Sequence, residues 1–215
     1  MALVNGTNEF DSIPDAVEAF ARGDFLVVLD SPDRENEGDL IIAASHFTPA
    51  KSAFMIRHTS GYLCAPITPA LAARLELPQM VAHNTDPNRT AYTITIDAAD
   101  GVTTGIGAHD RSLTCRLLAD PNAQQDSFRR PGHIVPLQAR EGGVRIRPGH
   151  TEATIDFCQL AGLPAVGVIG ELVERRRERF GQGRNGWRFW HDAQGRLSSL
   201  CKEVRPTLCY YRRPG

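Results

Sequence analysis

The chain has 215 residues, 41% hydrophobic and 23% charged, with a formal net charge of −1; it has apolar material for a packed core and is too polar overall for a bilayer protein. No run reaches the roughly 18 apolar residues of a spanning helix, and the opening MALVNGTNEF lacks the basic start and apolar stretch of a secretion signal, so no membrane partner and a cytoplasmic location are expected. Cys64, Cys115, Cys158, Cys201 and Cys209 are odd in number, widely spaced and form no CxxC, which argues for free thiols over a disulfide framework or a zinc knuckle.

The charge is unevenly spread. Residues 1–174 carry 13 basic and 22 acidic side chains (−9), whereas residues 175–215 carry 11 and 3 (+8). Both tryptophans, Trp187 and Trp190, lie in the basic part. The expected organisation is a single domain over residues 1–174 followed by an atypical basic tail over 175–215.

In chain order, IPDAVEAFARGD sets Ile13, Val17 and Phe20 at helical spacing and closes on Gly23 as a C-cap. FLVVLD reads as a buried strand ending at Asp30. The stretch that follows, with Asp30, Asp33, Arg34, Glu35, Glu37 and Asp39 ahead of apolar LIIAA, is then a loop at the carboxyl end of a strand, where α/β proteins set binding groups. PAKSAFMIRHT is helical in pattern, YLCAPIT is strand-like, and PALAARLE is a short helix opened by Pro69. AYTITIDA alternates like a half-buried strand, and AHDRSLTCRLLAD has helical spacing through Leu113, Leu117 and Leu118. GHTEATIDFCQLAG reads as a helix ending at Gly162, and AVGVIGEL as another buried strand. This alternation without repeats predicts an α/β fold with a mixed β-sheet.

A charge run alone is compatible with a solvated turn. Here Arg34, Glu35, Glu37 and Asp39 are packed between apolar runs, and Gly38 lets the backbone approach a ligand. Carboxylates suit a hard cation such as Mg²⁺, which leaves positions to water and substrate, and Arg34 adds a planar fork for a phosphate. RRPGHIVPL and RIRPGHTEAT read as two Pro-Gly-His turns carrying His133 and His150. Arg147, Gly149, His150 and Thr151 precede a helix whose free N–H groups and dipole attract an anion. Joined to the acidic loop, such a site would hold a sugar phosphate through metal and phosphate at once. Cys64 reads either as a buried small hydrophobe or as a reactive thiol, and Glu171 either as a strand-end residue or as a general base. His109, Asp110 and Arg111 read as a polar helix start, and the GxG of TTGIGAHDR is weak evidence for phosphate binding.

DRENEGDLI, RHTSGYLCAP, AYTITIDA with GVTTGIGAHDR, FRRPGHIVPL and GHTEATID occur in one order over roughly residues 10–174. Together they resemble the 3,4-dihydroxy-2-butanone 4-phosphate synthase family, and most of all its monofunctional fungal members. The resemblance implies a layered α/β sandwich and a homodimer with sites at the subunit interface. It also implies conversion of D-ribulose 5-phosphate to L-3,4-dihydroxy-2-butanone 4-phosphate and formate in riboflavin biosynthesis, with Mg²⁺ or Mn²⁺. Carried onto this chain, it makes Glu35 and His150 the metal ligands. Arg34, Glu35, Asp39, Arg147, Pro148, Gly149, His150, Thr151 and Glu171 become the substrate contacts. His133 and Glu171 are implied as required for catalysis, Asp39 for proton transfer or orientation, and Cys64 as an active-site-loop cysteine.

The chain departs from the family pattern in three places. Gly107 stands where many members have serine, Pro148 replaces a glycine or arginine, and everything after Glu174 lacks the family's closing helix and strand. Under permitted codons, HDAQGRLSSLCKEV read one nucleotide later spells a segment like the family's last helix, and CYYRRP one like its last strand. A frameshifted tail beginning between Glu174 and Trp187 is therefore expected, or else a disordered one. Rival readings are a member inactivated by its altered end, a nucleic-acid-binding tail (a partner not expected here), and a simpler isomerase or aldolase, which would release no formate.

Overall fold

The structure, a computed structural model, describes residues 11–31 and 33–173 and the backbone of 207–210. Its strands are β1 (Leu26–Leu29), β2 (Gly38–Ala43), β3 (Cys64–Ile67), β4 (Ile96–Ala98), β5 (Phe128–Gln138), β6 (Gly167–Glu171) and β7 (Thr207–Tyr210). The helices are α1 (Ile13–Ala21), α2 (Pro49–His58), α3 (Pro69–Arg74), α4 (Ala108–Leu118) and α5 (His150–Leu160). The strands form one seven-stranded sheet in the order β4-β5-β3-β6-β2-β1-β7. It is mixed: β3 with β5 and β1 with β7 run parallel, and the remaining pairs antiparallel.

Period-two alternation divides the sheet's side chains between two layers. Val27, Leu40, Ile42, Ala65 and Ile67 pack with Met55 of α2, Ala72 of α3 and Leu118 of α4. Leu26, Val28, Ile41, Ala43 and Cys64 face the other way, onto Phe20 of α1 and Ala153 and Phe157 of α5. The Phe20 and Phe157 rings stand 5.7 Å apart between centroids. The fold is thus an α/β sandwich with helices on both faces of a mixed sheet. Three helices begin alike: Ser12, Thr48 and Thr68 accept the N–H of the residue three positions on, and a proline occupies the first turn.

Several local expectations are corrected. The charged stretch does lie at the carboxyl end of a strand, as expected, and it is a hairpin loop, because β1 and β2 are antiparallel and Leu29 pairs with Gly38. The first Pro-Gly-His lies inside β5, an 11-residue strand, and is not a turn. A Cβ at Gly132 would sit 2.0 Å from the carbonyl carbon of Ile96, so only glycine lets β5 approach β4 this closely. AYTITIDA contributes a regular strand only over Ile96–Ala98, with isolated bridges at Tyr92 and Thr93. The buried face of α4 is largely polar, with Asp110, Arg111, Ser112 and Thr114 among its residues, while Leu113 and Leu117 are only half-buried. Thr207–Tyr210, in a tail read as lacking the family's last strand, pairs with β1 as β7; this backbone satisfies an otherwise open edge. The segment HDAQGRLSSLCKEV, read as matching the family's last helix only in a shifted frame, and the proposed frameshift point lie outside the described residues.

Asp110 explains why α4 buries polar groups. Its Oδ2 accepts the N–H of Thr103 (2.9 Å), the hydroxyl of Thr103 (2.7 Å) and the N–H of Gly105 (3.0 Å). The helix start therefore doubles as the anchor of the preceding glycine-rich loop. The Thr103 hydroxyl above all, with the loop N–H groups, holds the carboxyl down to about 2 against the opposing effect of burial. Because this pKa lies below the ordinary value near 3.9, the stabilisation is complete above about pH 4 and disappears as pH falls towards 2. The Asp110→Asn variant is expected to lower the urea midpoint at pH 6, with the gap to the wild type narrowing as pH is lowered towards 2. Parallel urea titrations across that range check it.

Candidate active site

The hairpin loop over residues 30–37 is built around one buried carboxylate. Asp30 accepts the N–H of Glu37 through Oδ1 at 2.9 Å, and through Oδ2 the N–H of Glu35 at 3.1 Å and Nη1 of Arg34 at 2.7 Å. Its side chain is 3% exposed. Asn36, with φ of 54°, completes the turn. Arg34 also donates to the Glu35 carboxylate, and these two carboxylates outweigh the effect of burial and raise the Arg34 pKa, so it stays charged. The loop therefore presents Glu35 and Glu37 at the mouth of a cavity of about 170 Å³, next to Asp39 of β2 and Glu171 of β6, which are register partners.

His150 enters the same cavity from the first turn of α5. Its Nε2 lies 3.1 Å from the carbonyl oxygen of Val28. A carbonyl only accepts, so Nε2 carries the hydrogen and Nδ1 keeps its lone pair, 3.8 Å from the nearer Asp39 oxygen. One donor atom each of Asp30, Glu35 and His150 lie within 4.8 Å of one another. Asp30 is committed to three donors within the loop and does not line the cavity, whereas Glu35, which accepts from the side chains of Arg34 and Asn88, lines it together with His150; these two would be the pair to hold a hard divalent cation.

Beside this pair two guanidinium groups converge on Gly149, the N-cap of α5. A Cβ there would lie 2.5 Å from Nη1 of Arg147 and 3.0 Å from Nη2 of Arg34. Arg147 is fixed by Glu152 (2.7 Å), the Thr90 hydroxyl (2.9 Å) and the Asn88 carbonyl (3.2 Å). Asn88 also donates to Glu35 at 2.6 Å, tying the arginine to the carboxylate loop. Two arginines, the Thr151 side chain and the amino end of an 11-residue helix together offer donors that could take a dianion beside Glu35 and His150.

Burial, the Glu171 hydrogen bond and the surrounding carboxylates push Glu37 up to about 8. Burial above all, and then the Glu171, Glu35 and Asp30 carboxylates, raise Asp39; only a protonated His150 would pull the other way. At neutral pH the Glu37–Glu171 pair thus holds a proton within the cavity. Burial pushes the Cys64 thiol up to about 12, so it lines the wall as a protonated, weakly polar group.

Of the residues singled out in the sequence, Arg34, Glu35, Asp39, Cys64, Arg147, His150, Thr151 and Glu171 line one cavity. Gly149 lies beneath the arginines, and Pro148 is not among the lining residues. His133 does not line the cavity either. It pairs instead with the buried Asp97 of β4, which accepts its N–H at 2.9 Å and meets its Nδ1 at 2.7 Å. Glu37, Ser60, Tyr62, Thr90 and Tyr92 also line the cavity and had not been assigned to the site. Glu37 alone carried a signal, its place in the charged run.

Comparison with known proteins points to one family. A family profile described as 3,4-dihydroxy-2-butanone 4-phosphate synthase matches residues 14–188. The chain is 57% identical over 172 residues to the 3,4-dihydroxy-2-butanone 4-phosphate synthase of Pyricularia oryzae, covering 80% of this chain and 74% of that one. It is 58% identical over 163 residues to that of Schizosaccharomyces pombe, covering 75% and 80%. A crystal structure of 3,4-dihydroxy-2-butanone 4-phosphate synthase in complex with two magnesium ions aligns with a TM-score of 0.81 at 48% identity, covering 94% of this chain and 93% of that one. With most of its length matched by the profile and by close relatives, the chain belongs to the 3,4-dihydroxy-2-butanone 4-phosphate synthase family.

Proposed function

We propose that this chain converts D-ribulose 5-phosphate to L-3,4-dihydroxy-2-butanone 4-phosphate and formate, a step of riboflavin biosynthesis in the cytoplasm. The observation that carries this reading is the junction at Gly149, where a carboxylate–imidazole pair and a two-arginine helix start share one small cavity. Those are the two handles a phosphorylated ketose offers. Arg34, Arg147 and Thr151 hold the phosphate, and Glu35 with Nδ1 of His150 would hold Mg²⁺ or Mn²⁺. When bound, that cation supplies Lewis-acid stabilisation of negative charge on neighbouring substrate oxygens.

The remaining work falls to side chains. Enolisation and loss of a hydroxyl require a proton to be taken from carbon and one delivered to oxygen. Glu37 and Glu171, sharing a proton beside Asp39, are placed to do both at the end of β6. Cys64, Leu137 and Ile169 form the apolar side of the cavity and keep water from the reacting carbons.

The chain works as a homodimer in this reading, with His133 serving the site of the second copy. Its support is the placement of His133: Asp97 engages Nδ1 and leaves Nε2 as the outward nitrogen, yet the side chain is 40% exposed and lines no part of its own cavity. Tyr62 and Ile106 are large apolar side chains more than half exposed, as an interface requires. For the tail, residues 175–215, the frameshift reading is retained; genomic DNA whose shifted frame fails to encode the family's last helix and strand overturns it.

Glu35→Gln is expected to abolish formate release and weaken Mg²⁺ binding at least tenfold by calorimetric titration. Gly149→Ala is expected to raise KM for ribulose 5-phosphate roughly tenfold or more, because its Cβ displaces both arginines; steady-state formate assays decide it. Two inactive variants, Glu35→Gln and His133→Asn, refolded together are expected to recover about a quarter of wild-type activity, since half the dimers then carry one intact site. No recovery in the mixture removes the shared-site arrangement.

A further inference from the structure

Arg111, near the start of α4, is 6% exposed and does not line the cavity. Its Nη1 donates to the carbonyl of Gly61 at 2.7 Å, its Nε has no hydrogen-bond partner, and among the described residues no carboxylate pairs with it. A buried guanidinium held by one carbonyl is a poor stabiliser, because an apolar side chain of similar volume fills the same space without desolvating a charge. Stability alone therefore does not account for an arginine here.

Arg111 reaches the segment Thr59–Tyr62, which forms one wall of the cavity through Ser60 and Tyr62. Thr59 donates its hydroxyl to the Met55 carbonyl at 2.7 Å and accepts the Gly61 N–H at 3.1 Å. Ser60 donates its N–H to the carbonyl of Glu171 at 2.7 Å. Gly61 sits at φ +75°, and a Cβ at Gly170 would come within 2.8 Å of the Thr59 hydroxyl. The segment is thus pressed onto the end of β6 on one side, while α4 holds its central carbonyl through Arg111 on the other.

We propose that Arg111 is a positioning residue for this active site: by fixing the Gly61 carbonyl it sets Ser60 and Tyr62 against the backbone of Glu171. This inference rests on reading the cavity as the ribulose 5-phosphate site. Arg111→Met removes the donor and Arg111→Lys keeps a charge but loses the fork. In the full-length chain with Mg²⁺, Arg111→Met is expected to lower kcat for formate release about tenfold with KM within about twofold, and Arg111→Lys to lower kcat about threefold. Both are expected to speed amide hydrogen exchange at Ser60 and Tyr62 while the thermal midpoint of Arg111→Lys stays at the wild-type value. Wild-type kcat and unchanged exchange at those amides in either folded variant overturn the proposal. If Arg111→Met fails to fold, Arg111→Lys decides alone, and wild-type behaviour in it marks Arg111 as purely structural. Absence of formate release from the wild type sinks the functional reading, whereas the exchange measurement still judges the anchoring of the segment.

Discussion

The site depends on one buried carboxylate, Asp30, whose hydrogen bonds shape the loop that carries the others. Asp30 gathers two backbone N–H groups and a guanidinium from its own loop. A carboxylate in a nearly closed environment must have its oxygens satisfied, and a loop that satisfies them has little freedom left. Glu35 and Glu37 therefore point into the cavity as a consequence of where Asp30 is anchored, at the end of β1. The same strand supplies the Val28 carbonyl that selects the His150 tautomer. One strand end thus aligns both halves of the cation pair.

Close approach of like charges is the second constraint. Glu35, Glu37, Asp39 and Glu171 line the cavity together with Arg34 and Arg147. Neither cluster would persist if it stood apart, since each would suffer self-repulsion in a poorly hydrated space. Arg34 bridges to Asp30 and Glu35, and Asn88 links Glu35 to the Arg147 side. Part of the carboxylate repulsion is relieved by keeping a proton on Glu37, whose pKa is raised by burial first and by the crowded carboxylates second.

Much of this was legible in the chain. Contiguous motifs report themselves: the charged run before LIIAA and the Arg-Pro-Gly-His-Thr at a helix start each carry their chemistry within a few residues. Glu37 was legible as part of the run but not by its protonation, because its raised pKa arises from burial in the cavity and then from Glu171, more than a hundred residues away. Tyr62, Thr90 and Tyr92 left no local signature, since an isolated aromatic or hydroxyl residue looks the same in a wall of a site as on any surface. Leu113 and Leu117 misled for the opposite reason: their helical spacing was real, but α4 turns its polar face inward to hold the loop over Thr103 and Gly105.

What the sequence by itself determined was the fold class, the family, and the short runs in which candidate cation and phosphate groups lie, because the spacing within such runs is set by local backbone geometry. What only the tertiary structure decided was their relative placement: that the charged stretch is a hairpin, that β2 sets Asp39 opposite Glu171, and that His133 is held by Asp97 outside the cavity. These depend on strand order and register, which arise when distant apolar segments are buried against one another, and no window along the chain contains both partners of such a contact.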